Sequence, residues 1–84
     1  MAYSVYLKKS AEKELENISA KTYDKIIKSV TSLKNNPRPH GVKKLYEGKG
    51  YRIRVGDYRI LYTINDSEKK IEIFSVAHRK EAYQ

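Results

Sequence analysis

The chain has 84 residues, no cysteine and a formal net charge of +8. This length suits one domain, residues 1–84, with a single modest core. The lack of cysteine excludes disulfides, thiolate chemistry and cysteine zinc sites, and it fits a reducing cytoplasm. The two histidines, His40 and His78, lack the carboxylate spacing of a metal site, so no metal or cofactor is expected. No apolar run approaches the ~18 residues of a membrane span, and the N-terminus lacks the basic-then-apolar order of a signal peptide. A cytoplasmic protein without a membrane partner is expected.

Residues 2–7 set Tyr3, Val5 and Leu7 in alternation with Ser4 and Tyr6, the two-residue period of a strand. Ser10 offers a helix N-cap, with Glu12 and Glu14 placed where the positive end of the helix dipole favours negative charge. Ala11, Leu15 and Ile18 share one stripe. Ser19 can cap a second helix, in which Tyr23, Ile26, Ile27, Val30 and Leu33 follow the i, i+3, i+4, i+7 spacing of one buried face. Asn35-Asn36-Pro37 should end it, because asparagine tolerates the left-handed conformation and proline cannot continue a helix.

A proline-stiffened loop over 37–41 leads to a short strand at 42–46, and 47–50 makes the next turn. Residues 50–65 then read as a β-hairpin. Tyr51, Ile53 and Val55 alternate with Arg52 and Arg54, Gly56-Asp57 turns the chain, and Tyr58, Ile60, Tyr62 and Ile64 return with Arg59 beside the turn. After a turn at 66–70, a last strand over 71–77 sets Ile71 and Ile73 opposite Phe74 and Val76, apolar on both faces as in a central strand. Residues 78–84 are expected to add one helical turn at the rim. The fold class is α+β: two N-terminal helices packed on one face of an antiparallel-rich sheet, in the order β-α-α-β-β-β-β.

Charge is concentrated on the hairpin and its approach. Counting along the sequence, residues 1–37 carry seven basic and four acidic side chains (+3), residues 38–59 seven and two (+5), and residues 60–84 four and four (0). Such asymmetry suggests a polyanionic partner. A strand that gives its outward positions to Arg52 and Arg54, with Arg59 nearby, suits phosphate, because guanidinium forks bind its oxygens bidentately. The same arginines could instead be the solvated face of an edge strand. Tyr51, Tyr58 and Tyr62 fit sheet packing with a polar tip, and His40 fits an exposed loop.

The run Gly50-Tyr51-Arg52-Ile53-Arg54-Val55-Gly56-Asp57-Tyr58-Arg59-Ile60-Leu61-Tyr62, preceded by Lys44-Leu45 and followed by Val76-Ala77-His78-Arg79-Lys80-Glu81-Ala82-Tyr83, resembles the RelE-like toxins of the RelE/ParE superfamily. These are small toxins of type II toxin–antitoxin systems. The resemblance covers nearly the whole chain, and its element order is the one derived above. It implies a ribosome-dependent mRNA endoribonuclease, an mRNA interferase that cleaves A-site codons when the RNA 2′-hydroxyl attacks the adjacent phosphate. Arg59 and Arg79 match the family's catalytic arginines, and Tyr83 matches a C-terminal tyrosine that contacts the substrate. Arg52 and Arg54 match basic positions that are lysines in some members. Arginine effectively never gives up its proton, so a base at those positions would be absent here.

His78, beside Arg79, is a candidate for proton transfer, or it is a structural histidine turned into the core. Glu47 and Asp57 could serve as bases, although turn placement accounts for both. Lys43, Lys44 and Lys49 suit diffuse anchoring on ribosomal RNA. The resemblance further implies a RelB-like antitoxin as partner, the small ribosomal subunit and mRNA as targets, and operator DNA bound only through the antitoxin complex. Two other functions fit the same composition: a ParE-like inhibitor of DNA gyrase that cuts nothing, and a basic RNA-binding domain without toxicity.

Overall fold

A computed structural model describes residues 2–45 and 48–78. Strand β1 (Ser4–Leu7) leads into helices α1 (Lys9–Glu16) and α2 (Ala20–Ser32), which are followed by strands β2 (Lys43–Lys44), β3 (Tyr51–Val55), β4 (Tyr58–Asn65) and β5 (Lys70–His78). The five strands form one sheet in the order β1-β5-β4-β3-β2. All neighbours pair antiparallel except β1 and β5, which run parallel. The α1–α2 excursion and the remaining strands separate β1 from β5, and that long connection permits a parallel pairing no hairpin could make. The expected α+β architecture is therefore present.

One face of the sheet carries the core. Ala11 and Leu15 of α1 and Ile26 and Val30 of α2, with Leu33 just beyond, meet Ile53, Val55, Ile60, Tyr62, Ile71, Ile73 and Val76. Ser19 caps α2 as expected, its hydroxyl accepting the Thr22 amide at 3.4 Å. Tyr23 departs from expectation: it stays 41% exposed, and burial of the stripe begins one turn later at Ile26. The end of α2 also differs. Asn35 and Asn36 do not adopt positive φ; the chain leaves the helix through a turn in which both of their amides donate to Ser32 O. Among the described non-glycine residues, positive φ belongs instead to Lys69, at 56° in the β4–β5 turn. Strand β2 is two residues long rather than five.

The apolar residues on both faces of β5 have a specific resolution. Leu61 pairs with Ser75 but the next residue, Tyr62, pairs with Ile73, so Phe74 is an extra residue in β5 and forms a bulge. A bulge reverses the phase of a strand. Ile71 and Ile73 before it, and Val76 and His78 after it, consequently all lie on the helix side, opposite Ile64, Tyr62, Ile60 and Tyr58 respectively.

Helix α1 takes up the backbone groups of β5 at and beyond the bulge, where β1 no longer pairs with it. Strand β1 pairs with β5 only as far as Leu7 and Ile73, and the Lys8 amide then bonds Ile73 O at 2.9 Å. One turn further, the Ser10 hydroxyl donates to Phe74 O at 3.0 Å, and the Glu14 carboxylate accepts the Val76 amide at 2.9 Å. Ser10 and Glu14 stand four apart, on one face of the helix. Ser10 is thus no N-cap: Lys8 holds that position without a side-chain bond, and Ser10 is used across the interface.

Losing Glu14 leaves a partly buried amide without its acceptor. Glu14→Ala should cost about 1–3 kcal/mol of unfolding free energy, and Glu14→Gln, which keeps a carbonyl oxygen at the same reach, should recover most of it. Urea denaturation of the three proteins checks this; equal midpoints for wild type and Glu14→Ala would refute it.

Candidate nucleic-acid interface

The strand registers decide which side chains meet on the helix-free face. Across β3 and β4, Arg54 stands opposite Arg59 and Arg52 opposite Leu61. Lys43 of β2 stands opposite Arg52, while Arg59 and Leu61 face Ala77 and Ser75 of β5. Directly opposed residues share a face, so Lys43, Arg52, Arg54 and Arg59 rise on the side away from the core. They line, with Gly41, one cleft of about 150 Å³. Arg59 is the most enclosed, only 9% exposed. Arg52 is half-buried and Arg54 exposed, with Arg54 Nε donating to Gly56 O at the hairpin turn at 3.5 Å.

On β5 the residues directly opposite Arg59 and Leu61 are the small Ala77 and Ser75. The two-residue turn has Gly56 at φ 59°, the glycine-first arrangement that matches strand twist, and it holds Val55 and Tyr58 in register at the hairpin end.

The other candidates are placed differently. His78 projects to the helix side, opposite Tyr58, with the two rings edge to face at 5.2 Å. There it lines a recess of about 210 Å³ with Glu14, Asn17 and Ile18, and the sheet separates it from Arg59. Lys44 pairs with Tyr51 and so leaves the face that Lys43 occupies; Lys49 is exposed in the loop before β3. Arg79, Tyr83 and Glu47 lie outside the described residues, as does nearly all of the expected helical turn over 78–84. Among the described residues, no group of three His, Asp or Glu side chains could hold a metal ion, and no helix is long and apolar enough to cross a membrane.

A polar clamp that no sequence period signals anchors the loop leading to the cleft. Arg38 donates to both Asp66 oxygens, at 2.8 and 3.3 Å, and through Nε to the Tyr51 hydroxyl at 3.2 Å. Tyr3 donates to Asp66 at 2.6 Å. One residue before Arg38, Pro37 O accepts the Tyr62 hydroxyl at 2.7 Å. Loop 37–41 is thereby tied to β3, β4 and the β4–β5 turn, with Tyr3, just before β1, bracing Asp66, which sets where Gly41 and Lys43 enter the cleft. The hydrogen bonds from Arg38 and Tyr3 hold the Asp66 carboxyl down to about 2, and the same contact raises the Tyr3 phenol. Burial pushes the Tyr62 phenol up to about 12.

Because the folded-state pKa of Asp66 lies below the usual ~3.9, its contribution to stability is complete above about pH 4 and is lost as pH falls toward 2. The melting-temperature difference between wild type and Asp66→Asn should therefore shrink over that interval; a constant difference from pH 6 to 2 would contradict the clamp. The arginine pair gives the opposite sign of effect. Like charges directly opposed across a ladder cost stability, so Arg54→Thr should raise unfolding free energy by about 0.2–1 kcal/mol, and a lower melting temperature would count against that arrangement.

Comparison with known proteins converges on one family. A family model described as the ParE toxin of the type II toxin-antitoxin system parDE matches residues 5–83. The toxin RelE of Mycobacterium tuberculosis is 30% identical over 84 residues, spanning 98% of this chain and 87% of that protein. Among solved structures, the archaeal RelE-RelB complex from Pyrococcus horikoshii OT3 contains a chain that matches with a TM-score of 0.84 and 30% identity, covering 94% of this chain and 97% of that one. The YoeB/ParE toxin from Agrobacterium tumefaciens shares the fold, with a TM-score of 0.77 at 16% identity, over 89% and 96% of the two chains. The family match over residues 5–83, the sequence identity over nearly the whole chain and the shared fold agree: the chain is a RelE-like member of the RelE/ParE superfamily of type II toxins.

Proposed function

We propose that this toxin is an mRNA interferase, a ribosome-dependent endoribonuclease that cuts A-site codons and so stops translation in the cytoplasm. The observation that carries the reading is the convergence of Lys43, Arg52, Arg54 and the enclosed Arg59 in one cleft. Such a cleft suits a phosphodiester. RNA is cut when its 2′-oxygen loses a proton and bonds to the adjacent phosphorus, while the bond from phosphorus to the 5′-oxygen breaks and that oxygen gains a proton; a 2′,3′-cyclic phosphate and a 5′-hydroxyl remain. The phosphate passes through a more highly charged, five-coordinate state. Guanidinium groups held by a rigid sheet bind that state better than the ground state, and this difference is what accelerates a reaction.

Arg59 is the residue to which the charge role is assigned first, with Arg52 and Arg54 supporting it and Lys43 steering the backbone. The family resemblance adds Arg79 for charge stabilisation and Tyr83 for stacking or proton transfer. No carboxylate or imidazole lines the described cleft, and His78 stands across the sheet, so its candidacy as base would need the proton to travel around the sheet edge. The RelE-RelB complexes among the structural relatives support an antitoxin of the RelB type as inhibitor. A basic toxin suits an acidic chain that orders on binding, and operator DNA would be reached through that complex.

A second reading rests on the ParE description of the matching family model and on the YoeB/ParE relative: inhibition of DNA gyrase without nucleolysis. Primer extension on a defined message in a reconstituted translation system separates the two. The interferase should produce cuts within A-site codons that require ribosomes. Arg59→Ala should slow cutting by about 100-fold or more, as for removal of one preorganised charge-stabilising donor, and Arg79→Ala and Tyr83→Phe should each reduce it. Intact message during growth arrest, with gyrase-dependent DNA breaks, would overturn the interferase reading in favour of the second.

A further inference from the structure

A second depression adjoins the arginine cleft and shares two of its lining residues, Gly41 and Arg54. It measures about 330 Å³, near the lower end of the ~300–1,000 Å³ typical of small-molecule sites. Its walls differ from those of the cleft. Ile53 and Pro39 are apolar, His40 offers a ring, and Ser29 and Ser32 of α2 offer hydroxyls. Apolar walls, a flat ring and a few hydrogen-bonding groups beside a phosphate-binding cleft are what an unstacked base needs: a surface to stack on and partners for its edge.

We propose that this pocket receives one nucleobase of single-stranded RNA, the base of a nucleotide whose phosphate lies in the arginine cleft. The inference rests on the reading of that cleft as an RNA site. His40 stacks on the base, Ile53 and Pro39 exclude water from its faces, and Arg54 spans base pocket and phosphate. Ser32 supplies a preference. Its hydroxyl proton is already committed to Ser29 O at 2.6 Å, which leaves lone pairs to accept from a base. An amino-bearing edge, such as that of cytosine, can donate to them, whereas uracil presents a carbonyl at the equivalent position. The clamp from Arg38 to Asp66 and Tyr51 fixes the loop that carries Pro39 and His40, so the pocket is formed before the base arrives.

The test uses the isolated toxin and no ribosome. Amide and imidazole NMR signals are followed during titration with CMP, UMP, ribose 5-phosphate and inorganic phosphate. CMP should shift Ser32 and His40 together with Gly41 and Arg54, while ribose 5-phosphate and phosphate shift the arginine cleft, Gly41 and Arg54 included, and leave Ser32 and His40 unmoved. His40→Ala should weaken CMP about 10-fold, the scale of one lost stacking partner, and ribose 5-phosphate by less than about 2-fold. CMP should bind several-fold tighter than UMP, and Ser32→Ala should remove that difference. Identical shifts and affinities for CMP and ribose 5-phosphate would overturn the base pocket; equal CMP and UMP affinities would overturn the role of Ser32. The interferase reading stands or falls separately. Uncut message with CMP still sensed at His40 removes only the nuclease, and ribosome-dependent cutting with His40 silent removes only the pocket.

Discussion

The extra residue at Phe74 is the feature on which both faces of the sheet depend. Before it, Ile71 and Ile73 point to the helices; without a phase change, Ser75 and Ala77 would follow them into the core, and Val76 and His78 would emerge among the arginines. The bulge between the Leu61 and Tyr62 pairings exchanges these sets. Val76 becomes core at 2% exposure, and Ser75 and Ala77, both small, go opposite Leu61 and Arg59. A register slip moves every following side chain to the other face, so a bulge in β5 decides what stands opposite Arg59. The bulge is in turn held from the side by Ser10 and Glu14 of α1. The first helix therefore contributes to the arginine face from the opposite side of the sheet.

That face works against its own stability. Lys43, Arg52, Arg54 and Arg59 are brought together on adjacent strands, with Arg54 directly opposite Arg59. Side chains of one sign in such proximity repel, and enclosing Arg59 removes part of its hydration. The opposing contribution lies beneath: Ile53 and Ile60 form the next cross-strand pair and are buried with Val76 against the helices. A continuous apolar layer holds the ladder together while its outer face carries charges that a stability-driven sequence would dilute. Local departure from what stability favours is the expected mark of a functional surface.

Much of this was legible in the residues. The hairpin followed from strict alternation around Gly56-Asp57, and α2 from the spacing of Ile26, Val30 and Leu33, because a two-residue or 3.6-residue period is a local property. The bulge was not legible. Residues 71–76 show apolar character at both parities, and only the pairing partners on β4 reveal that one strand changes phase rather than burying two faces. Ser10 fits a helix cap by type, yet its carbonyl partner lies 64 positions away. The Arg38 clamp joins residues 28 apart to Tyr3 and Tyr51, and nothing local distinguishes Arg38 from the other loop cations. Placement of His78 depended on the same phase change, which is why its neighbourhood with Arg79 in sequence did not carry it to the side of Arg59.

On the interferase reading, the composition of the cleft bears on why the toxin would act only with the ribosome. Three arginines can gather charge around a phosphate, but groups that effectively never release a proton cannot accept one. On the interferase reading, the arginines therefore perform the electrostatic half of the reaction, and the proton transfers fall to groups other than these three. In-line geometry is the other missing requirement. A flexible RNA strand seldom places its 2′-oxygen opposite the leaving 5′-oxygen, and fixing that alignment is worth several orders of magnitude in rate. A codon held in the decoding site can be aligned by the ribosome rather than by the toxin. On that reading a small basic protein would need to contribute mainly charge, which is what an arginine-bearing hairpin on a rigid sheet can supply.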